Sequence, residues 1–154
     1  MSLSSDFVEF IECLNRKRVE YLLVGGHALA FHGLPRFTKD IDFWVRPERA
    51  NASRLLEALA EFGFSNTGLT VDDFATPGKI VQLGIEPNRI DLITRVDGVE
   101  FDDAWNQRIA TIYRGVTLNV LSLRLLIANK RSTGRAQDAL DAKTLETVLA
   151  RTTG

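Results

Sequence analysis

A pair of glycines between a short apolar run and a short helical stretch constrains this chain most. Tyr21–Val24 is apolar enough to form a buried strand, and the run stops at Gly25 and Gly26. Residues His27–His32 then predict a short helix that Gly33 ends. A junction between a strand and a helix N-terminus exposes backbone N–H groups, and glycine lets an anion approach them closely. We therefore predict a phosphate cradle at this turn.

Two aspartates follow on the next predicted strand, Thr38–Val45. Asp40 and Asp42 alternate with apolar residues, so both carboxylates project from one face of the strand. Crowded carboxylates repel each other unless a cation lies between them, and Mg²⁺ prefers such oxygen ligands. Taken separately, a glycine pair is usually a tight turn and an Asp-x-Asp pair a solvated face. In this order on neighbouring elements, the two signals are more specific for a functional site.

The rest of the pattern predicts an α/β fold, a small mixed sheet flanked by helices, because a helix between two strands of one sheet acts as a crossover. We expect one domain over 1–154, with a core of about 19–120 and C-terminal helices over about 122–150. Mixed signals leave 64–75 open between a short strand and a loop. The predicted helices are 5–18, 46–62, 101–109, 123–131 and 135–149, and the predicted strands beyond 45 are 79–85, 89–96 and 116–120.

Asp91 is a charged residue on a predicted strand whose neighbours favour burial. Ile90 and Leu92 point to one side of this strand, whereas Asp91 points to the other. From the residues alone, the simpler interpretation is an ion pair with Arg89 or Lys79.

Composition sets broad limits on the function. The chain has 154 residues, 45% hydrophobic and 25% charged, as in ordinary soluble proteins. Nineteen basic and twenty acidic residues give a net charge of −1, which favours neither binding nor exclusion of nucleic acid. No apolar segment is long enough to span a bilayer, and the first six residues lack the basic region and apolar core of a signal peptide. We therefore expect a cytoplasmic protein without a membrane partner.

The combined motif resembles the nucleotidyltransferase superfamily related to DNA polymerase beta, in the minimal bacterial branch that includes the AbiE-type toxins. Many members of the superfamily have serine in place of Gly26, but the AbiE-like branch shares the glycine. The residues that carry the resemblance are Gly25, Gly26, His27, Ala28, His32, Gly33, Pro35, Arg36, Thr38, Asp40, Ile41 and Asp42, followed by Lys130, Arg135, Asp138 and Asp141 near the C-terminus.

The resemblance implies a nucleotidyltransferase fold with two Mg²⁺ ions, or Mn²⁺ in their place. Asp40 and Asp42 would bridge the ions as catalytic ligands. Asp91 matches the third carboxylate of the superfamily, which reverses the simpler interpretation given above. Gly25 and Gly26 would offer backbone N–H groups to the β and γ phosphates of a nucleoside triphosphate such as ATP.

The resemblance also suggests which other side chains contact the nucleotide. Lys130 is the first choice for a cation that faces the triphosphate and Arg36 the second, because phosphoryl transfer requires positive charge there. His27 would be a donor on the phosphate side. Thr38, Arg135 and Asp138 complete the expected nucleotide site. For Asp138, together with Asp141, a solvated helix face paired with Arg135 remains an alternative.

The implied reaction transfers a nucleoside monophosphate from the triphosphate to an acceptor hydroxyl. The acceptor stays open among RNA such as tRNA, a partner protein and a small molecule. An aminoglycoside is less favoured, because the sequence shows no strongly acidic surface to receive it. Little chain remains after Val120 to grip an acceptor, so either a second copy or an antitoxin partner completes the site, or the acceptor is small or is a protein.

Two alternatives belong to other functional classes. The chain could be a non-catalytic protein of the same fold that binds a nucleotide or a partner in a toxin–antitoxin pair. It could also be a structural α/β domain whose motif is coincidental, which requires Asp40, Asp42 and Asp91 to lie far apart.

Overall fold

The computed structural model describes residues 1–153 as a six-stranded mixed sheet with helices on both faces, which confirms the predicted α/β fold. The helices are α1 (Ser5–Arg16), α2 (Gly25–Phe31), α3 (Arg49–Phe62), α4 (Val71–Ala75), α5 (Phe101–Asn106), α6 (Leu123–Ser132) and α7 (Ala136–Thr153). The strands are β1 (Tyr21–Val24), β2 (Asp40–Val45), β3 (Ile80–Leu83), β4 (Arg89–Ile93), β5 (Ile109–Tyr113) and β6 (Val116–Val120). Their order across the sheet is β3, β4, β2, β1, β6, β5.

Strand pairing brings the two aspartate-bearing strands side by side. β2 pairs antiparallel with β1 and parallel with β4, and the crossover from β2 toward β4 contains α3. In the parallel register Asp42 is opposite Asp91, and Asp40 is opposite Arg89. Since opposite residues share a face of the sheet, the carboxylates of β2 and β4 project together.

The position of the apolar core determines which face of the sheet carries the aspartates. α1 and α3 cover one side of the sheet, where Phe10 of α1 contacts Phe43 of β2 with ring centroids 5.6 Å apart. Ile41 and Leu92 are buried on the same side, and Leu55 of α3 is fully buried as well. Because side chains alternate along a strand, burial of this apolar row turns the aspartates to the opposite face, toward α6 and α7.

The open segment 64–75 contains a short helix rather than a strand or a loop only. Thr70 and Asp73 form a capping box at the start of α4, in which the backbone N–H of Thr70 donates to Asp73 Oδ2 at 2.7 Å. Phe74 is fully buried and attaches the helix to the core.

The prediction of a helix over 101–109 is too long, because the helix ends at Asn106 and Ile109 begins β5. β5 and β6 form an antiparallel hairpin through Arg114 and Gly115, which have φ angles of 50° and 78°. Two successive residues with positive φ are typical of the tight turns that join hairpin strands. None of the helices described in 1–153 combines the length and apolar character needed to cross a membrane.

Asn51, at the start of α3, is a buried polar residue that connects three parts of the chain. Its Oδ1 accepts a bond from the backbone N–H of Glu20 at 2.7 Å. Its Nδ2 donates to the carbonyl oxygens of Glu20 at 3.0 Å and Arg46 at 3.2 Å. The side chain therefore ties α3 to the entrance of β1 and the exit of β2.

We expect Asn51→Ala to lower the free energy of unfolding by about 2 kcal/mol, because buried backbone groups then lose their partners. Chemical denaturation of the variant measures this loss. The control is Asn66→Ala, at an exposed position after α3. Equal stabilities of the two variants would show that the Asn51 bonds contribute nothing.

Candidate active site

Three aspartates converge on the face of the sheet opposite α1 and α3. Each of Asp40, Asp42 and Asp91 offers a carboxylate oxygen, and these oxygens lie within 4.8 Å of one another. Asp91 is buried, and the other two are half-buried. The motif is therefore not a coincidence of distant residues, because strand register brings all three carboxylates into one cluster.

Arg89 supplies the positive charge nearest to this triad. Its Nη2 lies 2.5 Å from Asp40 Oδ2, and its Nε lies 3.0 Å from Asp91 Oδ1. The ion pair between Arg89 and Asp91 that the residues alone suggested is thus present, together with the triad. Arg89 therefore bridges Asp40 of β2 and Asp91 of β4. Its positive charge neutralises part of the negative charge of the cluster.

Asp42 lies in an environment that disfavours its ionised form. Burial raises its pKa, and the neighbouring charges of Asp40 and Asp91 raise it further, to about 7. Arg89 opposes this shift only in part. A carboxyl group in such surroundings is ionised at low cost only when additional positive charge is present.

The glycine turn is packed against the triad. Gly25 has a φ of 71°, and a Cβ built on it would lie 2.1 Å from Asp42 Oδ2. Only glycine therefore fits here, because the carboxylate of Asp42 occupies the place of a side chain. A Cβ on Gly26 would contact Thr38 Cβ at 3.2 Å and Arg36 Cγ at 3.5 Å, a tight but less severe approach.

The loop before β2 supports the triad from the side of the glycines. Thr38 Oγ1 donates to Asp40 Oδ1 at 2.8 Å and so orients that carboxylate. Arg36 directs its Nη2 at Asp141 Oδ1 of α7, 2.8 Å away. Asp141 is thus the partner of Arg36, a contact between the loop and the C-terminal helix that the sequence pattern did not suggest.

His27 lies beneath the glycine turn. Its ring packs edge to face on Phe7, with centroids 6.0 Å apart, and burial lowers its pKa. The ring also hydrogen-bonds to the backbone of Asp40, whereas its Nε2 has no hydrogen-bond partner within residues 1–153. His32, by contrast, has its Nε2 2.7 Å from the carbonyl oxygen of Leu121 and holds α2 to the end of β6.

A cavity of about 510 Å³ extends from Asp42 of the triad to the C-terminal helices. Gly25 and Asp42 line one side of it, and Lys130, Arg135 and Asp138 line another. Its volume is in the range of pockets that hold small organic ligands. The structure therefore brings three of the expected nucleotide-site residues to the same cavity as Gly25 and Asp42.

Asp138 holds the cations of this wall in position. Its Oδ1 lies 3.2 Å from Lys130 Nζ, and its Oδ2 accepts from Thr133 Oγ1 at 2.7 Å and lies 3.4 Å from Arg135 Nε. Burial acts to raise the pKa of Asp138, but hydrogen bonds from Thr133 and Lys130 outweigh it and lower the pKa. An ionised Asp138 fixes the ammonium group of Lys130 at the cavity, so this aspartate is more than a solvated helix residue.

Two further cations reach the cavity from the β3–β4 hairpin. Lys79 precedes β3, Arg95 follows β4, and both line the cavity. Thr94, which precedes Arg95, connects the two strand ends, since its Oγ1 accepts a hydrogen bond from the N–H of Lys79 at 2.8 Å. The sequence alone did not place Lys79 and Arg95 at the cavity, because only the register of the hairpin shows that both residues lie at the same end of the sheet.

The donor set of the triad fits a hard divalent cation. Three carboxylates supply oxygen ligands of the kind that Mg²⁺ and Mn²⁺ prefer. The raised pKa of Asp42 and the contacts of Arg89 both indicate a deficit of positive charge at this point. Asp40, Asp42 and Asp91 can therefore bind a metal ion.

Comparisons with known proteins show the family to which the chain belongs. The model of the AbiEii family, described as the nucleotidyl transferase AbiEii toxin of a type IV toxin–antitoxin system, matches residues 12–133. No curated protein matches the chain.

Two solved structures share the fold. A protein from Thermotoga maritima assigned as a nucleotidyltransferase has 17% identity, covers 94% of this chain and 91% of its own, and gives a TM-score of 0.59. An antigenic nucleotidyltransferase-like protein from Paracoccidioides brasiliensis has 18% identity, covers 96% and 78%, and gives a TM-score of 0.54.

The matched segment includes the glycine turn, the three aspartates and Lys130, and it spans most of the chain. The mixed sheet and its flanking helices follow the fold of the solved nucleotidyltransferase-like structures. The chain is an enzyme of the nucleotidyltransferase type, and it belongs to the AbiEii family of nucleotidyl transferase toxins.

Proposed function

We propose that this enzyme moves a nucleoside monophosphate from a nucleoside triphosphate to an acceptor hydroxyl group in a metal-dependent reaction. The observation that carries the proposal is the shared cavity, in which Asp42 and the cations Lys130 and Arg135 face the same space. Carboxylates that bind metal ions beside cations that bind phosphate are the combination that phosphoryl transfer requires.

Asp40, Asp42 and Asp91 would hold two divalent ions, Mg²⁺ or in its place Mn²⁺. Such ions, when bound, lower the pKa of an acceptor hydroxyl and neutralise charge on the phosphate oxygens. Thr38 keeps the carboxylate of Asp40 in the orientation for this task, through its 2.8 Å hydrogen bond. Asp91, on the neighbouring strand, would accept the proton of the acceptor hydroxyl at a carboxylate oxygen.

The triphosphate would lie between the glycine turn and the C-terminal helices. Gly25 exposes backbone to the cavity without a Cβ, and Gly26 follows it in the first turn of α2. Lys130, fixed by Asp138, and Arg135 would neutralise the nonbridging oxygens that the reaction leaves charged.

Three other expected residues would act from beside the cavity. Arg36, paired with Asp141, and Thr38 line the approach to Gly26. His27, with a neutral ring buried beneath the turn, would support the backbone that contacts the phosphates.

The acceptor would be RNA such as tRNA, a protein or a small hydroxylated molecule. Membership of a toxin–antitoxin family suggests that this protein has an antitoxin partner. That partner, or a second copy of this chain, would complete the acceptor site.

Transfer of radiolabel tests the proposal. The wild-type protein and Asp91→Asn are incubated with Mg²⁺ and each α-labelled triphosphate, with total RNA, total protein or aminoglycosides as acceptors. We expect stable label on one acceptor class with the wild type only, and at least about a hundredfold less with the variant. The same triphosphate labelled at the γ position should leave no label, because pyrophosphate departs.

Label transferred from the γ position would mean a kinase reaction and would overturn the proposal. Failure of the folded, Mg²⁺-supplied wild type to label any acceptor from any α-labelled triphosphate would also overturn it, provided that the antitoxin gene product had been tested both present and absent.

A further inference from the structure

The site face of the sheet continues beyond the triad as an apolar row. Ile93 lies two residues after Asp91 on β4, so it projects from the same face, about 7 Å further along the strand. Ile80 of β3 is the cross-strand partner of Ile93, and both side chains line the 510 Å³ cavity. An aliphatic pair therefore lies one row away from the carboxylates, in the same cavity.

This aliphatic pair is exposed although it lies in a cleft. Ile80 is 70% exposed on an edge strand, and Ile93 is half-buried. Lys79 and Arg95 flank the pair at the open end of the hairpin. The pair thus forms an apolar floor beside two cations, of which Arg95 has its Nε 3.5 Å from Asp97 Oδ1, and apolar surface with a few polar groups is typical of small-molecule pockets.

We infer that Ile80 and Ile93 form the binding platform for the nucleobase of the triphosphate, an inference that rests on the proposed function. The step between Asp91 and Ile93 is comparable with the span of the ribose that joins a base to its α-phosphate. A nucleotide with its phosphates at Asp42 and Lys130 places its base over this pair. Lys79 and Arg95 then supply N–H donors to carbonyl oxygens and ring nitrogens at the base edge.

The hairpin is suited to this role because its backbone is fixed. Thr94 is buried, and its Oγ1 accepts from Lys79 N–H at 2.8 Å and donates to the carbonyl oxygen of Thr76 at 2.7 Å. The backbone N–H of Thr94 in turn donates to the carbonyl oxygen of Lys79 at 3.0 Å. A platform that is held before the ligand arrives loses little entropy when it binds.

The test separates base from phosphate. Dissociation constants are measured by calorimetry for α,β-methylene analogues of the four nucleoside triphosphates and for inorganic tripolyphosphate, each with Mg²⁺. The variants are Ile80→Ala and, as a matched control, Ile112→Ala. Ile112 lies on β5, the opposite edge strand of the sheet, and is 67% exposed.

We expect Ile80→Ala to weaken binding of the best nucleotide analogue about tenfold, because the base loses aliphatic contact area. Its affinity for tripolyphosphate should stay within about twofold of the wild type, and Ile112→Ala should change neither constant. Wild-type affinity for the nucleotide in Ile80→Ala overturns the inference. Equal weakening of both ligands also overturns it, since it indicates a structural effect.

The outcome also distinguishes this inference from the proposed function. If the wild type and Ile80→Ala bind the nucleotide equally well, the inference of a nucleobase platform is overturned and the proposed function is unaffected. If the folded wild-type protein binds neither the nucleotide analogues nor tripolyphosphate, both the proposed function and the inferred platform are overturned.

Discussion

Asp42→Asn is expected to lower nucleotidyl transfer by more than about a hundredfold while it stabilises the metal-free protein at pH 8. The activity falls because even groups that only support a metal ligand contribute about 10- to 100-fold, and Asp42 would be a ligand itself. The stability rises because the metal-free wild type must keep a buried carboxylate ionised between Asp40 and Asp91 at this pH.

The sign of the pH dependence follows from the direction of the shift. The pKa of Asp42 is about 7 in the folded protein and 3.8 in the unfolded chain. Between these values the folded state holds a proton that the unfolded state has lost, so stability falls as the pH rises. The slope for one proton approaches about 1.4 kcal/mol per pH unit, and the contribution of this group is constant above pH 7.

Chemical denaturation between pH 5 and pH 8, in EDTA and in Mg²⁺, measures this effect. Relative to Asp42→Asn, the wild type should lose stability across the window in EDTA and regain it with Mg²⁺, because other groups such as His27 titrate alike in both proteins. Asp103→Asn, at an exposed position of α5, is the control for the chemical change. An Asp42→Asn protein that is no more stable than the wild type at pH 8 in EDTA would contradict the raised pKa of Asp42.

Gly25→Ala is expected to abolish activity with only a modest loss of stability. The new Cβ would lie 2.1 Å from Asp42 Oδ2, so the carboxylate has to leave its position in the triad. The positive φ of 71° adds a backbone cost of about 1–2 kcal/mol for any residue with a Cβ. We expect activity to fall by more than about a hundredfold, as for loss of a metal ligand.

Gly33→Ala separates the backbone cost of a positive φ from the displacement of the Asp42 carboxylate. Gly33 also has a positive φ, 98°, but a Cβ there meets nothing within 4 Å. Urea denaturation should show a decrease in the free energy of unfolding for both alanine variants through the positive φ, and a larger one for Gly25→Ala because its Cβ also displaces a carboxylate. Transfer activity should persist in Gly33→Ala and disappear in Gly25→Ala. Substantial activity in Gly25→Ala would show that Asp42 need not stay where the structure places it.

The strand, glycine turn, helix and aspartate strand were predictable because local patterns determine them. Alternation of Asp40 and Asp42 with apolar residues specifies which face is buried. The same logic places Asp91 on the site face of β4. The parallel register that sets Asp42 opposite Asp91 is a long-range property, and the residues alone left Asp91 open between a triad member and a partner of Arg89.

Other parts could not be read from local signals. The β5–β6 hairpin turns at Arg114, an arginine with positive φ, and turn patterns favour glycine, asparagine or aspartate at such positions. The contact of Arg36 with Asp141 joins residues 105 positions apart. Lys79 and Arg95 meet at the cavity only through hairpin pairing. Each of these features depends on tertiary pairing rather than on periodicity.

The salt bridges of Arg89 have a consequence for how the ion reaches its site. Because Arg89 sits on the same strand as Asp91, it is a tethered competitor whose local concentration at the carboxylates stays high under all conditions. A metal ion that binds the triad would have to displace this guanidinium, and its apparent affinity would fall by the fraction of time that the arginine occupies the cluster. Arg89 would therefore neutralise part of the negative charge of the carboxylates until a metal ion binds.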